Sequence, residues 1–284
     1  VKAARITGLG SDALHEVAAD AALRMDPRAL ARAIAADRAE GRQPFLIAAT
    51  AGTTNAGAID PIEAIAGIAE EDGLWLHVDA AWGGAAILIP ELRPLLDGIH
   101  RADSITFDAH KWLSVPMGAG IFITRRPDIL SLTFQTPTAY MPREAAGLDV
   151  TDPHLHSMQW SRRFIGLKVF LSLLAAGWEG YENAVRRMTR MGDLLRAELA
   201  ASGWGIVNQT PLPLVCFRDP NGARPEDLIR EILASGEAWI SATRIAGQDV
   251  LRACITNFRT GEADVGALVA GLNAARGKLA AAPL

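Results

Sequence analysis

The stretch Leu74–Ala81, LWLHVDAA, decides how the chain is read. It is short, apolar and closed by an aspartate and small residues, the pattern of a buried strand running into a turn. A carboxylate at the end of such a strand is costly unless it is paired or turns the chain. A second strand of this kind, Asp103–Asp108, opens into SITFDAHKWLSVPMGAG (Ser104–Gly120) and is followed by His110, Lys111 and Trp112. A lysine directly after a buried strand either escapes to solvent or does chemistry.

Outward from these two strands the pattern alternates. Pro44–Thr50 (PFLIAAT) and Gly118–Arg125 (GAGIFITR) read as further strands, and Asp26–Gly41 and Asp60–Gly73 as helices. In the second helix Asp60 is expected to cap, Pro61 to take the first helical position and Gly73 to end it. Alternating strands and helices predict an α/β fold with a mostly parallel sheet covered on both faces. Ligands of such sheets lie beyond the C-terminal strand ends, where Asp79 and Lys111 both fall.

Pro127–Pro153 has little periodicity and reads as a long binding loop. Ser161–Trp178 is apolar almost all round, so a buried helix is expected there, continuing as an amphipathic helix to Leu199. After Gly203 the order is strand, strand, helix, strand, strand, helix. The expected division is residues 1–202, the later part of a large domain, and residues 203–284, a small α+β domain.

The 284 residues carry a net charge of −4, and 50% are hydrophobic. That argues against nucleic acid as a partner. No apolar run approaches the roughly 20 residues of a membrane helix, and no secretory signal is visible. Cys216 and Cys254 sit in apolar runs without metal-type spacing and read as free thiols of a reducing compartment, the cytoplasm. His154 and His156 lack a third ligand at useful spacing, so no metal is expected.

A lysine amine that attacks a carbonyl, together with an acid that keeps a pyridine nitrogen protonated, is what pyridoxal 5'-phosphate chemistry requires. Lys111 and Asp79 satisfy both demands from consecutive strands. The small residues Ala80, Ala81, Gly83 and Gly84 are expected to leave room for a flat ring.

TAGTTNAGAIDPI, WLHVDAAWGGAAIL, SITFDAHKWLSVPMGAG and HSMQWSRRFIGLKVF occur in that order. Together they closely resemble the group II pyridoxal-phosphate-dependent amino-acid decarboxylases, the family of aromatic-L-amino-acid decarboxylase. The resemblance runs from about Val1 to the last helix. It implies a fold-type-I (PLP-dependent transferase-like) large-domain part, a homodimer and an amino-acid substrate, aromatic for preference. It implies that Lys111 is the Schiff-base lysine, that Asp79 partners the pyridine nitrogen, and that Ala81 packs on the ring. His110 would lie close to cofactor and substrate and assist proton movement. Thr54 matches a position near the cofactor. Asp108 matches one near the phosphate, where a carboxylate is an awkward neighbour and a structural turn equally natural. Tyr140 matches a loop tyrosine that returns a proton to carbon, which favours simple decarboxylation over oxidative deamination or transamination. Arg162 and Arg163 match a paired-arginine motif. The family's phosphate cradle and ring-stacking histidine precede the point where this chain begins. The resemblance therefore also leaves open a truncated, non-catalytic homologue, and implies that the chain alone binds cofactor weakly.

Overall fold

The computed structural model describes residues 1–136, 152–236 and 238–281. Four strands form the first sheet in the order β1 (Leu46–Thr50), β2 (Trp75–Asp79), β3 (Ser104–Asp108) and β4 (Gly120–Thr124). β1, β2 and β3 are parallel, and β4 returns antiparallel to β3. The register sets Thr50 beside Asp79 and Asp79 beside Thr106. β1 and β2 therefore end level, β3 runs two residues further, and the turns that follow lie at the same end of the sheet.

The connections follow from the sequence punctuation. Helix α1 (Lys2–Ile6) leads to α2 (Pro27–Ala39), whose Asp26 cap accepts a hydrogen bond from Arg28 N at 2.8 Å. Helix α3 (Ile62–Asp72) ends at Gly73, which takes the left-handed conformation (φ 66°) that glycine adopts without cost. Asp60 does not cap α3. Its buried carboxylate instead accepts from Met25 N at 2.7 Å and Thr50 N at 2.8 Å, tying the end of β1 to the segment before α2. The backbone donors that meet it there come from elsewhere in the chain, a competition that the local capping pattern does not contain.

One face of this sheet is buried and the other is not. Ile47, Ala49, Leu76 and Val78 join Ile62, Ile65, Ala66 and Ala69 of α3 in the core. The alternate residues include Thr50, His77, Asp79, Thr106 and Asp108, none of them fully buried, and Ser104, which is buried. The expectation of a sheet covered on both faces thus holds for one face only. The other is polar, and burying its charges unpaired would be costly.

Helix α4 (Ile129–Phe134) follows β4 and occupies part of the expected long loop. Helix α5 (Ile165–Ala201) contains one non-helical residue, Gly177, at φ 66° and ψ 174°. Beyond this kink Tyr181, Val185, Met188, Leu195 and Leu199 are buried, as the amphipathic pattern predicts. Before it the expected buried helix is instead exposed: Phe170 is 60% and Leu174 69% accessible. An all-round apolar pattern marks a helix that needs partners, without saying that the same chain supplies them.

The second sheet comprises β5 (Gly205–Ile206), β6 (Leu214–Arg218), β7 (Ser241–Ile245) and β8 (Gln248–Cys254), antiparallel in the order β5-β6-β8-β7. Helices α6 (Pro225–Ser235) and α7 (Glu262–Ala281) complete it. Its strands dock on the loop after β1. Asn208 Nδ2 donates to Ala56 O at 2.8 Å, Thr210 Oγ1 to Gly57 O at 2.7 Å, and Arg252 Nε to Thr54 O at 2.8 Å. Cys216 and Cys254 are free thiols, and burial pushes the Cys216 thiol up to about 11. Among the described residues no helix is long and apolar enough to cross a membrane.

Candidate active site

The site lies where β2 and β3 run out. Asp79 is the last residue of β2 and is exposed on the polar face. Its Oδ1 accepts from Ala81 N at 3.0 Å, which folds the turn around the carboxylate and brings Ala81 beside it. Asp108 is the last residue of β3. Lys111 stands one turn later, its backbone N bonded to Asp108 O, and its Nζ lies 2.9 Å from Asp108 Oδ2. The Lys111 side chain is 37% exposed, so it neither escapes fully to solvent nor disappears into the core. Asp108 gives the amine a proton acceptor within hydrogen-bond reach.

His110 is oriented from behind. Ala119 N donates to its Nδ1 at 3.1 Å, so the neutral ring carries its proton on Nε2, which lies 3.9 Å from Asp108 Oδ2. The loop from Ala109 to Ala119 closes on itself through Ala109 N to Ala119 O and Val115 N to Ala109 O. Lys168 of α5 donates to Met117 O at 2.6 Å, and Ser114, a non-glycine residue at φ 55°, donates to Thr256 O at 3.3 Å. The lysine loop is thus held by α5 on one side and by the segment after β8 on the other. Neither anchor was evident in the sequence, because both come from residues more than fifty positions away.

Two indoles tie the turns together. Trp82, three residues after Asp79, stacks on Trp112, the residue after Lys111, with ring centroids 5.4 Å apart and planes 17° from parallel. Both are buried and neither Nε1 has a hydrogen-bond partner among the described residues, so packing alone holds them. The glycines after Asp79 let the turn pack against the end of β1 and against β3. A Cβ on Gly83 would run into the Ala51 carbonyl oxygen, and one on Gly84 would lie 2.6 Å from the Phe107 ring. The room expected for a flat ring is therefore not what these two glycines provide.

The other candidates fall as follows. Thr54 is exposed, and its carbonyl is held by Arg252. Arg162 and Arg163 are exposed ahead of α5. His154 packs against Trp160 at 5.5 Å, and among the described residues no cluster fit for a metal ion occurs. Tyr140 lies outside the described residues.

Comparisons with known proteins give the family to which this fold belongs. The family model described as the pyridoxal-dependent decarboxylase conserved domain matches residues 1–219. The chain belongs to the pyridoxal-dependent decarboxylase family. It is 32% identical over 270 residues to the aromatic-L-amino-acid decarboxylase of Bacillus atrophaeus, covering 91% of this chain and 56% of that protein. It is 37% identical over 219 residues to the cysteine sulfinic acid decarboxylase of Homo sapiens, covering 76% of this chain and 44% of that protein. The crystal structure of Oryza sativa TDC with PLP and tryptamine superposes with a TM-score of 0.90 at 28% identity, over 98% of this chain and 60% of that one. The chain thus spans about half the length of the curated relatives it matches. The fold is the fold type I of these pyridoxal-dependent decarboxylases, an α/β sheet with a separate antiparallel sheet.

The residues present suit the family's cofactor. A half-exposed amine stands beside a proton acceptor, and a carboxylate uses one oxygen on its own turn and leaves the other toward the polar face. Both emerge from neighbouring strand ends on one side of the sheet.

Proposed function

We propose that the chain carries the lysine and aspartate side of a pyridoxal 5'-phosphate site and acts in the decarboxylation of an L-amino acid to its amine and carbon dioxide. One observation carries this reading. Lys111 and Asp79 rise from the ends of adjacent parallel strands, and the turns that bear them are joined by the Trp82–Trp112 stack. An aromatic substrate is retained from the overall resemblance, with a relative named for aromatic amino acids matching over 270 residues, and acidic amino acids are the second substrate class to test.

Bound here, the cofactor supplies an electron sink for cleavage of a carbon–carbon bond. Lys111 would hold the cofactor through its Nζ, which Asp108 Oδ2, 2.9 Å away, orients and can relieve of a proton. The Asp79 carboxylate, folded into its turn by Ala81 N, would hold a protonated ring nitrogen, and Ala81 beside it would offer its methyl to the ring. His110 keeps a proton at Nε2 for transfer at the reacting centre, because Ala119 N occupies Nδ1. Tyr140 is assigned the return of a proton to the alpha carbon. Thr54, fixed through its carbonyl by Arg252, is assigned a place near the cofactor.

The proposed assembly is a homodimer, supported by the exposed apolar stretch Phe164, Phe170, Leu174 and Trp178. A cytoplasmic setting is supported by the two free thiols.

The test is a product assay on a panel of aromatic and acidic amino acids with added cofactor. Amine and carbon dioxide in equal amounts, abolished in Lys111→Ala, are expected. Aldehyde or keto acid in place of amine would transfer the chain to oxidative deamination or transamination. The absence of any borohydride-sensitive visible band would make it a non-catalytic homologue.

A further inference from the structure

A hydrogen-bond chain crosses the polar face of the first sheet just behind Asp79. Trp75 Nε1 donates to Ser104 Oγ at 2.9 Å, Ser104 Oγ lies 2.9 Å from His77 Nδ1, and His77 Nε2 lies 3.2 Å from Thr106 Oγ1. Strand pairing sets His77 beside Ser104 and Asp79 beside Thr106. The direction of these bonds follows from counting protons. An indole N–H only donates, so it takes one lone pair of Ser104 Oγ. Serine has a single proton, and Ser104 is buried. If His77 carried a proton on Nδ1, as the other tautomer or as imidazolium, it too would donate to Ser104 Oγ. The serine proton would then be buried without an acceptor, which is unfavourable. Ser104 therefore donates to Nδ1, and His77 donates from Nε2 to Thr106. Thr106 in turn is the neighbour of Asp79 in register, so the chain ends beside the strand end that bears this carboxylate.

We propose that Trp75, Ser104, His77 and Thr106 form a hydrogen-bond chain that keeps His77 neutral, with its proton on Nε2, beside Asp79. On the reading of Asp79 given above, these are positioning residues for the carboxylate that holds the ring nitrogen. A neutral His77 matters because an imidazolium two residues from Asp79 would compete for its charge. The charged groups near His77 are few. Asp79 lies on its own strand and Asp108 at the end of β3, while β1 offers only Ala48 and Thr50 on this face. Asp103, next to Ser104, is committed to Arg125 and to Leu76 N. Burial pushes the His77 ring below its ordinary range, and Asp79 opposes this only partly.

The chain is testable without cofactor. Ring 15N and 13C NMR of histidine-labelled protein reports the tautomer and titration of His77. The expected result is a neutral ring protonated at Nε2, with proton affinity rising about tenfold or more in Ser104→Ala, where the barrier to protonating Nδ1 is gone. A proton on Nδ1, or unchanged titration in Ser104→Ala, would overturn the proposal. In cofactor-loaded protein, Thr106→Val is expected to move the pH midpoint of the visible absorption band, and Thr106→Ser to restore it. An unmoved midpoint in Thr106→Val would overturn the link to Asp79. If instead Asp79→Asn leaves the band unaltered, the reading of Asp79 fails while the NMR result stands.

Discussion

Asp60 shows how one side chain does a job its neighbours in sequence do not announce. Its carboxylate is buried between two backbone donors, and burial pushes it above its ordinary range of 3.8, with the Met25 and Thr50 N–H groups partly opposing this. A carboxyl raised on folding binds its proton more readily in the folded state. Its contribution to stability is therefore full below 3.8 and declines as pH rises through the folded value. Urea unfolding is expected to show the wild type losing stability relative to Asp60→Asn as pH increases from about 4 to 7. A relative gain over that range would contradict the assignment. At this scale the sequence was readable where function is local. The Asp26 cap and the Gly73 stop behave as their types require, because each acts within four residues. Asp60 obeys a partner thirty-five residues away, which no local pattern encodes.

Among the elements, the pair of turns after β2 and β3 matters most, and the Trp82–Trp112 stack is what joins them. Trp82→Ala removes one ring from a buried stack and is expected to cost about 3–5 kcal/mol, with Trp82→Phe losing distinctly less. Chemical denaturation measures both, and equal losses would mean that an aromatic ring at this position contributes nothing to the packing. The strands and their ends were legible because apolar runs of five to eight residues with clear punctuation allow few alternatives. The antiparallel return of β4 was not, since the eleven residues of the lysine loop close by long-range bonds to α5 and to the segment after β8. The stack was equally hidden: two tryptophans thirty positions apart carry no mark of their contact.

The whole molecule presents two incomplete surfaces, the polar face of the first sheet and the apolar stretch of α5 before Gly177. Composition foretold the second as a buried helix, and among the described residues its apolar side chains stand exposed. If a second copy covers it, sedimentation equilibrium should give a dimer for the wild type and a monomer for Leu174→Asp combined with Trp178→Asp, at unchanged helix content. A wild-type monomer at high concentration would contradict that assembly. The central claim rests on Lys111, and the chain has only four lysines, Lys2, Lys111, Lys168 and Lys278. Saturating the protein with pyridoxal 5'-phosphate, reducing with borohydride and mapping the modified peptide by mass spectrometry tests it most directly. The label is expected on Lys111 and is lost in Lys111→Ala. Label spread over Lys2, Lys168 and Lys278, with Lys111 unmodified, would contradict the account.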